Sequence, residues 1–219
     1  MGKLTGAAWV PGPAGLVTVV GSVLYLRGHY GMATVAGRSM EPTYAPGSRV
    51  VYERGGGEGP GRGDVVLYRV PGRCPFDGSV VRRVVGAGGG RVVCRVGAEG
   101  RERLVVNGRP LTEPYVRDGV VDGTRRPYDV KVPKGRLFLL GDHRSLARDS
   151  RAFADDQGGT VPVGAVEGRM TGDWTGVVVP AVGAFARLVV TLAGLGCAVA
   201  ARGVRRRPEA RTELWPSHL

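Results

Sequence analysis

Two long apolar stretches flank a middle region in which short apolar runs alternate with turn residues. Residues 7–26 carry no charge and have about the length, roughly 20 residues, that a helix needs to cross a bilayer. No small-x-small cleavage site directly follows this stretch. We therefore predict a retained transmembrane anchor over 7–26, and a removable signal peptide is the rival interpretation.

Residues 177–201 form the second apolar stretch, which Arg187 interrupts. An arginine near one end of a span is tolerated because its long side chain extends to the membrane interface. We predict a second transmembrane helix over 177–201, and an interfacial helix is the alternative.

The region between these stretches predicts a mostly β domain over residues 27–176. Runs rich in Val or Leu and bounded by Gly, Pro or Asp are typical of strands. The predicted strands cover residues 49–53, 64–70, 79–86, 91–96, 102–107, 128–132 and 136–140. Asn107-Gly108 predicts a hairpin turn, since both residue types accept positive φ.

The charge of the chain favours an anionic partner. Lys and Arg number 31 against 19 Asp and Glu, which gives a net charge of +12. Nucleic acid and an anionic lipid surface both fit such an excess. The arginines are scattered between apolar strands and aromatic residues are few, so no stacking platform for bases is visible. We therefore predict membrane lipid, anionic lipid included, and no nucleic acid.

The distribution of arginine predicts the orientation in the membrane. Five arginines follow the second apolar stretch, so the tail over 202–219 is predicted to be cytoplasmic. Two spans then return residues 1–6 to the cytoplasm and place residues 27–176 outside. Arg27 and Arg38 oppose this orientation mildly.

The cysteines leave two alternatives open. Cys74 and Cys94 lie in the same predicted extracytoplasmic region, where they form either a disulfide or two free thiols. Cys197 lies in an apolar run and is predicted to be inert. No group of His, Cys and Asp has the spacing of metal ligands, so no metal and no cofactor is predicted.

Ser39 is the first candidate for chemistry. It lies in a turn rich in Gly and Pro, and Pro42 disfavours helix at Glu41. A serine held in a rigid turn can present its hydroxyl and its backbone N–H together, which suits a nucleophile beside an oxyanion hole. Taken alone, the position is more typical of a serine that satisfies backbone groups of the turn.

Five motifs in chain order resemble those of type I signal peptidases. They are Gly37-Arg38-Ser39-Met40-Glu41-Pro42-Thr43; Arg62-Gly63-Asp64-Val65-Val66; Arg82-Arg83-Val84-Val85-Gly86; Val106-Asn107-Gly108-Arg109-Pro110-Leu111 with Glu113-Pro114-Tyr115; and Gly141-Asp142-His143-Arg144 with Asp149-Ser150-Arg151. Each motif is weak alone, but the five together are specific, and the resemblance covers about residues 10–170.

The resemblance implies a membrane-bound serine endopeptidase with a signal-peptidase-like β fold of antiparallel sheets. Its partners would be the signal peptides of exported preproteins, which such enzymes remove by cutting after small-x-small sites. The catalytic domain would lie outside the plasma membrane, and no cofactor is implied.

The resemblance also implies a serine–lysine dyad, in which Ser39 attacks and a buried lysine takes its proton. The lysine position is Arg82, and arginine has no acceptor lone pair and stays protonated. Arg82 therefore cannot be the general base. The family serine that would orient the lysine amine falls on Ala147. The base and its orienting hydroxyl are both missing.

Other parts of the implied site are retained. Arg83 is expected to pair with Asp142, and Asp149 with Arg151, which would hold the strands that carry positions 39 and 82; a solvated charged face is the alternative. The remaining supporting positions are Gly37, Met40 and Pro42. With glycine at position 37, the oxyanion hole would rest mainly on backbone N–H groups.

His143 is the histidine of the motif region and a candidate substitute base, because its ordinary pKa lies near neutrality. A histidine hydrogen-bonded beside a strand end is the alternative. Two functional hypotheses follow. One is an active signal-peptide endopeptidase, and the other is an impaired homologue that binds exported peptides without turnover.

Overall fold

The structure is a computed structural model, and it describes residues 11–55, 59–74, 78–172 and 175–205. The chain divides into two units. The β unit is Arg27–Asp173, and the other unit contains most of the two long helices.

The helices are α1, Pro11–His29, and α2, Thr175–Arg205. Pro11 opens α1, at a position where its missing N–H costs no helical hydrogen bond. Among the described residues, one helical segment, Gly176–Gly194 within α2, is long and apolar enough to cross a membrane. Residues 7–10 of the predicted anchor, residues 1–6 and most of the predicted tail lie outside the described residues. The two spans therefore stay predictions.

Arg187 of α2 donates a hydrogen bond from Nη1 to Thr18 Oγ1 of α1 over 3.0 Å. Thr18 is its described side-chain partner, and the expected position of Arg187 near the membrane interface stays a prediction.

The β unit contains two antiparallel sheets. The strands are β1 Tyr30–Thr34, β2 Arg49–Arg54, β3 Val65–Tyr68, β4 Val80–Ala87, β5 Arg91–Val96, β6 Glu102–Val106, β7 Arg109–Pro110, β8 Tyr128–Lys131, β9 Arg136–Leu140, β10 Val161–Pro162 and β11 Val166–Met170. The seven-stranded sheet has the order β1-β2-β11-β3-β4-β9-β10, and the four-stranded sheet has the order β7-β6-β5-β8. The predicted mostly β fold with antiparallel sheets is confirmed.

All seven predicted strands are present, and β1, β7, β10 and β11 were not predicted. Strand β11 lies between β2 and β3, yet its sequence VEGRM shows no apolar alternation. Gly168 explains this, because a Cβ there would meet the ring of Tyr52 and lie 2.5 Å from Glu53 O. The predicted hairpin is present, with φ of 52° at Asn107 and 79° at Gly108.

Strand β4 positions the candidate site. It lies between β3 and β9, so both of its edges are paired, and its residues 81–86 are buried on both faces of the sheet. Its sequence VVRRVVGA is apolar apart from two arginines. Successive side chains of a strand point to opposite faces, so Arg82 and Arg83 enter different packing layers. Arg82 is directly opposite Val66, and Arg83 is directly opposite Val65.

Cys74 and Cys94 are free thiols. Each is buried in a different apolar cluster, Cys74 beside Val66 and Cys94 beside Val92. The disulfide alternative is therefore wrong. Burial raises the pKa of the Cys94 thiol to about 12, which makes it unreactive at neutral pH.

The apolar centre of the β unit provides a first test. Phe138 is 1% exposed and its ring centroid lies 5.8 Å from that of Tyr128. We predict that Phe138→Ala lowers the free energy of unfolding by about 3–5 kcal/mol, since a large side chain leaves a cavity. Leu146→Ala, at a position 55% exposed, should change it by less than about 0.5 kcal/mol. Chemical denaturation in detergent measures both, and equal losses would contradict this packing.

Candidate active site

Ser39 lies in the turn between β1 and β2. Glu41 N donates to Arg38 O over 3.1 Å, and Tyr44 N donates to Met40 O over 2.9 Å. Met40 is 1% exposed and packs in the apolar core, so it anchors the turn. The Glu41–Pro42 peptide bond is cis. Ser39 itself is half-buried, with its hydroxyl directed at β4.

The loop that follows β9 lies against this turn. His143 N donates to Ser39 O over 3.1 Å. A Cβ at Gly141 would lie 2.6 Å from Ser39 O and would also meet the Ala147 side chain. Only glycine allows this approach, so Gly141 determines how closely the loop reaches the serine.

Arg82 makes direct contact with the serine. Its Nη1 donates to Ser39 Oγ over 2.8 Å and to Val81 O over 2.6 Å, and its Nη2 donates to Arg148 O over 2.9 Å. The residue is 6% exposed. Burial lowers its pKa, partly offset by the negative potential of Tyr68 and Asp149. Both predicted positions of the dyad are therefore in contact.

The other arginine of β4 forms a buried ion pair. Arg83 Nε lies 2.9 Å from Asp142 Oδ1, and Arg83 Nη2 lies 2.6 Å from Asp142 Oδ2. Thr43 Oγ1 also donates to Asp142, and the ring of Tyr115 lies 3.8 Å from Arg83 Cζ. Burial acts to lower the pKa of Arg83, but the hydrogen bond and charge of Asp142 outweigh it and the pKa is raised.

The second expected pair is also present. Asp149 accepts hydrogen bonds from Arg151 Nε and Nη2, both over 2.7 Å, and from Gly141 N over 3.0 Å. Burial acts to lower the pKa of Arg151, but Asp149 outweighs it and the pKa is raised. Asp142 and Asp149 are 0% and 1% exposed, so the alternative of a solvated charged face is wrong.

The domain matches the family described as signal peptidase, peptidase S26, over residues 10–175. The chain belongs to this family. Signal peptidase IB of Staphylococcus aureus strain N315 is 30% identical over 159 residues, which cover 63% of this chain and 77% of the relative. Signal peptidase I of Mycobacterium tuberculosis is 37% identical over 109 residues, which cover 43% of this chain and 36% of the relative.

A solved structure of signal peptidase I from Enterococcus faecalis V583 is also similar. It is 27% identical with a TM-score of 0.40, and the match covers 52% of this chain and 98% of that one.

Position 82, where the motif resemblance implies a lysine, carries an arginine in this chain. His143, the expected substitute base, directs Nδ1 at Arg38 O over 3.2 Å and lies 3.8 Å from Glu41 Oε2. Its described contact with the serine is made by its backbone N. No lysine or histidine side chain among residues 11–55, 59–74, 78–172 and 175–205 forms a hydrogen bond with Ser39 Oγ.

The two lysines of the β unit lie elsewhere. Lys131 is exposed on β8 and lies opposite Arg91 in the four-stranded sheet. Lys134 Cα would lie 3.1 Å from a Cβ at Gly88. Gly88 lies past the end of β4, six residues after Arg82. Among the described residues, neither lysine forms a hydrogen bond with Ser39 Oγ.

The structure adds contacts that the sequence analysis missed. Arg117 donates from Nη1 to Glu41, and its backbone N donates to Asp142 O over 3.0 Å. It therefore connects the Ser39 turn to the loop after β9. Thr43 belongs to the first motif, so the sequence indicated that it lies in the site. No sequence pattern around Arg117 indicated that this residue contacts the site.

The buried pair in this site predicts a large effect on stability. Asp142→Asn leaves Arg83 buried without its counter-ion, so it should lower the free energy of unfolding by about 3–5 kcal/mol. Asp129→Asn is the matched control, because Asp129 also pairs with an arginine but is exposed. It should have no measurable effect. Chemical denaturation in detergent measures the free energy of unfolding of both variants. Similar losses in the two variants would contradict the prediction.

Proposed function

We propose that the protein recognises signal peptides of exported preproteins at the membrane and cleaves them far more slowly than a serine–lysine peptidase. The observation that carries this proposal is the 2.8 Å hydrogen bond from Arg82 Nη1 to Ser39 Oγ. A cation occupies the general-base position, and it donates a hydrogen bond to the serine where the family mechanism needs a proton acceptor.

The substrate is an extended segment with small side chains one and three residues before the cut. Such a segment binds by adding as a strand, with main-chain hydrogen bonds for affinity and pockets for alternate side chains. The buried pairs around Asp142 and Asp149 hold the surrounding framework, so recognition does not depend on the missing base.

The rate of the chemical step is limited by removal of the Ser39 hydroxyl proton. Ser39 must lose its hydroxyl proton to attack a peptide carbonyl, and general-base help is typically worth about 10²–10⁴ in rate. Arg82 can stabilise negative charge near Ser39 Oγ, but it cannot accept that proton. Any remaining activity would come from binding and oxyanion stabilisation, which are worth on the order of 10³–10⁴ over water in well-studied serine proteases.

A fully active endopeptidase with His143 as its base is the second candidate. The hydrogen bond of 3.1 Å from His143 N to Ser39 O favours it, because it holds this histidine at the serine turn. The ring would have to leave Arg38 O to reach the hydroxyl. His143→Ala distinguishes the two candidates, since it abolishes cleavage only if this ring is the base.

We further propose a plasma-membrane location with the β unit outside the cell. A helical segment long enough to span, Gly176–Gly194, precedes the basic tail, and anionic lipid is the expected partner of the tail arginines. A reporter fused after Leu219 should therefore behave as cytoplasmic. A C-terminus cut by protease added outside intact cells would contradict the two-span arrangement.

Restoring the dyad should increase the rate. Arg82→Lys supplies an amine whose pKa burial can lower, and Ala147→Ser supplies a hydroxyl that can orient it. We predict that Arg82→Lys raises preprotein cleavage by about 10²–10⁴. Adding Ala147→Ser to Arg82→Lys should raise the rate by more than Ala147→Ser does alone. The two positions are expected to be coupled, because residue 147 is next to Arg148, whose carbonyl accepts a hydrogen bond from Arg82. The increase should grow with pH as the new amine loses its proton.

Cleavage of a purified preprotein by the full chain in detergent measures these rates. Ser39→Ala in the double-variant background is the control and should remove the gain. A parent that is fully active and loses rate with Arg82→Lys would contradict the proposal.

A further inference from the structure

Arg82 differs from the other buried arginines of the described chain. The buried arginines are Arg73, Arg82, Arg83 and Arg144, and each of them is between 2% and 9% exposed. Three of them contact a carboxylate, and these pairs are Arg73–Asp156, Arg83–Asp142 and Arg144–Glu113. Within residues 11–55, 59–74, 78–172 and 175–205, Arg82 has no carboxylate within ion-pair distance.

The hydrogen bonds of Arg82 do not balance its charge. Its described acceptors are the hydroxyl of Ser39 and the carbonyls of Val81 and Arg148, all of which are neutral. Its Nε is buried and has no hydrogen-bond partner among the described residues. Asp149 acts on this charge only from beyond hydrogen-bond contact. A buried cation with no contacting carboxylate is costly, and an anionic ligand in contact with it would reduce that cost.

Other donors converge at the same place. Ser39 Oγ accepts from Arg82, so its hydroxyl hydrogen is free to donate elsewhere. Ser39 N–H forms no hydrogen bond with any other described residue, although the carbonyl of Ser39 is bonded to His143 N. The Arg82 guanidinium lies beside the hydroxyl and the backbone N–H of half-buried Ser39. Together these three groups form a set of donors for a carboxylate.

We propose that Ser39 and Arg82 form a receptor for the C-terminal carboxylate of a peptide, namely the end that a cleaved signal peptide carries. This inference rests on the proposed recognition of signal peptides. The carboxylate carbon of a cleaved signal peptide is the former carbonyl carbon of the cut bond. A cleaved signal peptide that binds in the same way as the substrate therefore places this carboxylate at Ser39. Its small side chains occupy the same pockets as those of the substrate.

The replacement of lysine explains why the product is preferred over the precursor. A neutral amine offers no charge to a product, and it serves the serine as a base. A guanidinium is always charged and presents planar donors that suit carboxylates. The precursor brings an uncharged amide to the same place and leaves Arg82 unbalanced. A peptidase that releases signal peptides must supply the ligand.

The test compares two peptides that differ only at their end. Each carries an apolar segment and finishes in alanine-x-alanine, one with a free carboxylate and the other with an amide. Binding to the full chain in detergent is measured by fluorescence anisotropy. A charge-assisted hydrogen bond predicts that the acid binds about 10- to 100-fold more tightly. This comparison uses the unmodified protein, so it does not depend on the folding of a variant.

Arg82→Gln should abolish the preference, so that the acid and the amide bind this variant equally well. Arg103→Gln is the matched control, since Arg103 is an exposed arginine on the four-stranded sheet, and it should keep the preference. The preference should also stay constant between about pH 5 and pH 8, because arginine does not titrate there.

Several outcomes would overturn the inference. Equal binding of acid and amide would remove it and leave signal-peptide recognition intact. Binding of neither peptide would remove the proposed recognition as well. A preference that survives Arg82→Gln would assign the carboxylate to another donor, such as the His143 ring.

Discussion

The buried ion pair between Arg83 and Asp142 is the interaction on which the geometry of the candidate site depends. It connects β4 to the loop after β9, and Thr43 extends the connection to the Ser39 turn. Because Asp142 is fully buried, its charge is stable only while these partners stay in place. Arg82 is the neighbour of Arg83 on the same strand, so this pair also fixes where the Arg82 side chain begins.

The identity of the cation at position 82 decides whether this buried side chain can accept a proton. Burial can lower the pKa of a cationic side chain by up to about 3–5. A lysine, which starts near about 10.4, then reaches the neutral range and can accept a proton. An arginine starts above about 12, so the same burial leaves it charged. Position 82 is therefore desolvated enough for a lysine there to become neutral, whereas the arginine that is present stays charged.

Much of this arrangement could be predicted from the sequence because its signals are local. Runs of Val and Leu predicted seven of the strands, and the motifs predicted that positions 39 and 82 lie together. Strand β11 escaped because Gly168 is required by its approach to β2, which appears only when the chain is folded. Arg117 escaped for the same reason, since its partners Glu41 and Asp142 are distant in sequence. Long-range contacts of this kind leave no periodic pattern.

The hydrogen-bond partners of Arg82 connect stability with binding. The other buried arginines are balanced by carboxylates of the chain itself, so their charges are compensated within the fold. Within the part of the chain that the structure describes, Arg82 hydrogen-bonds to neutral acceptors only, so its charge is unfavourable within the fold. A ligand that brings a carboxylate relieves this cost only in the folded state, so its binding stabilises the folded chain. A lysine that deprotonates would relieve the same cost by losing its charge. Both solutions satisfy one electrostatic constraint, but the first favours retention of a peptide and the second favours its cleavage.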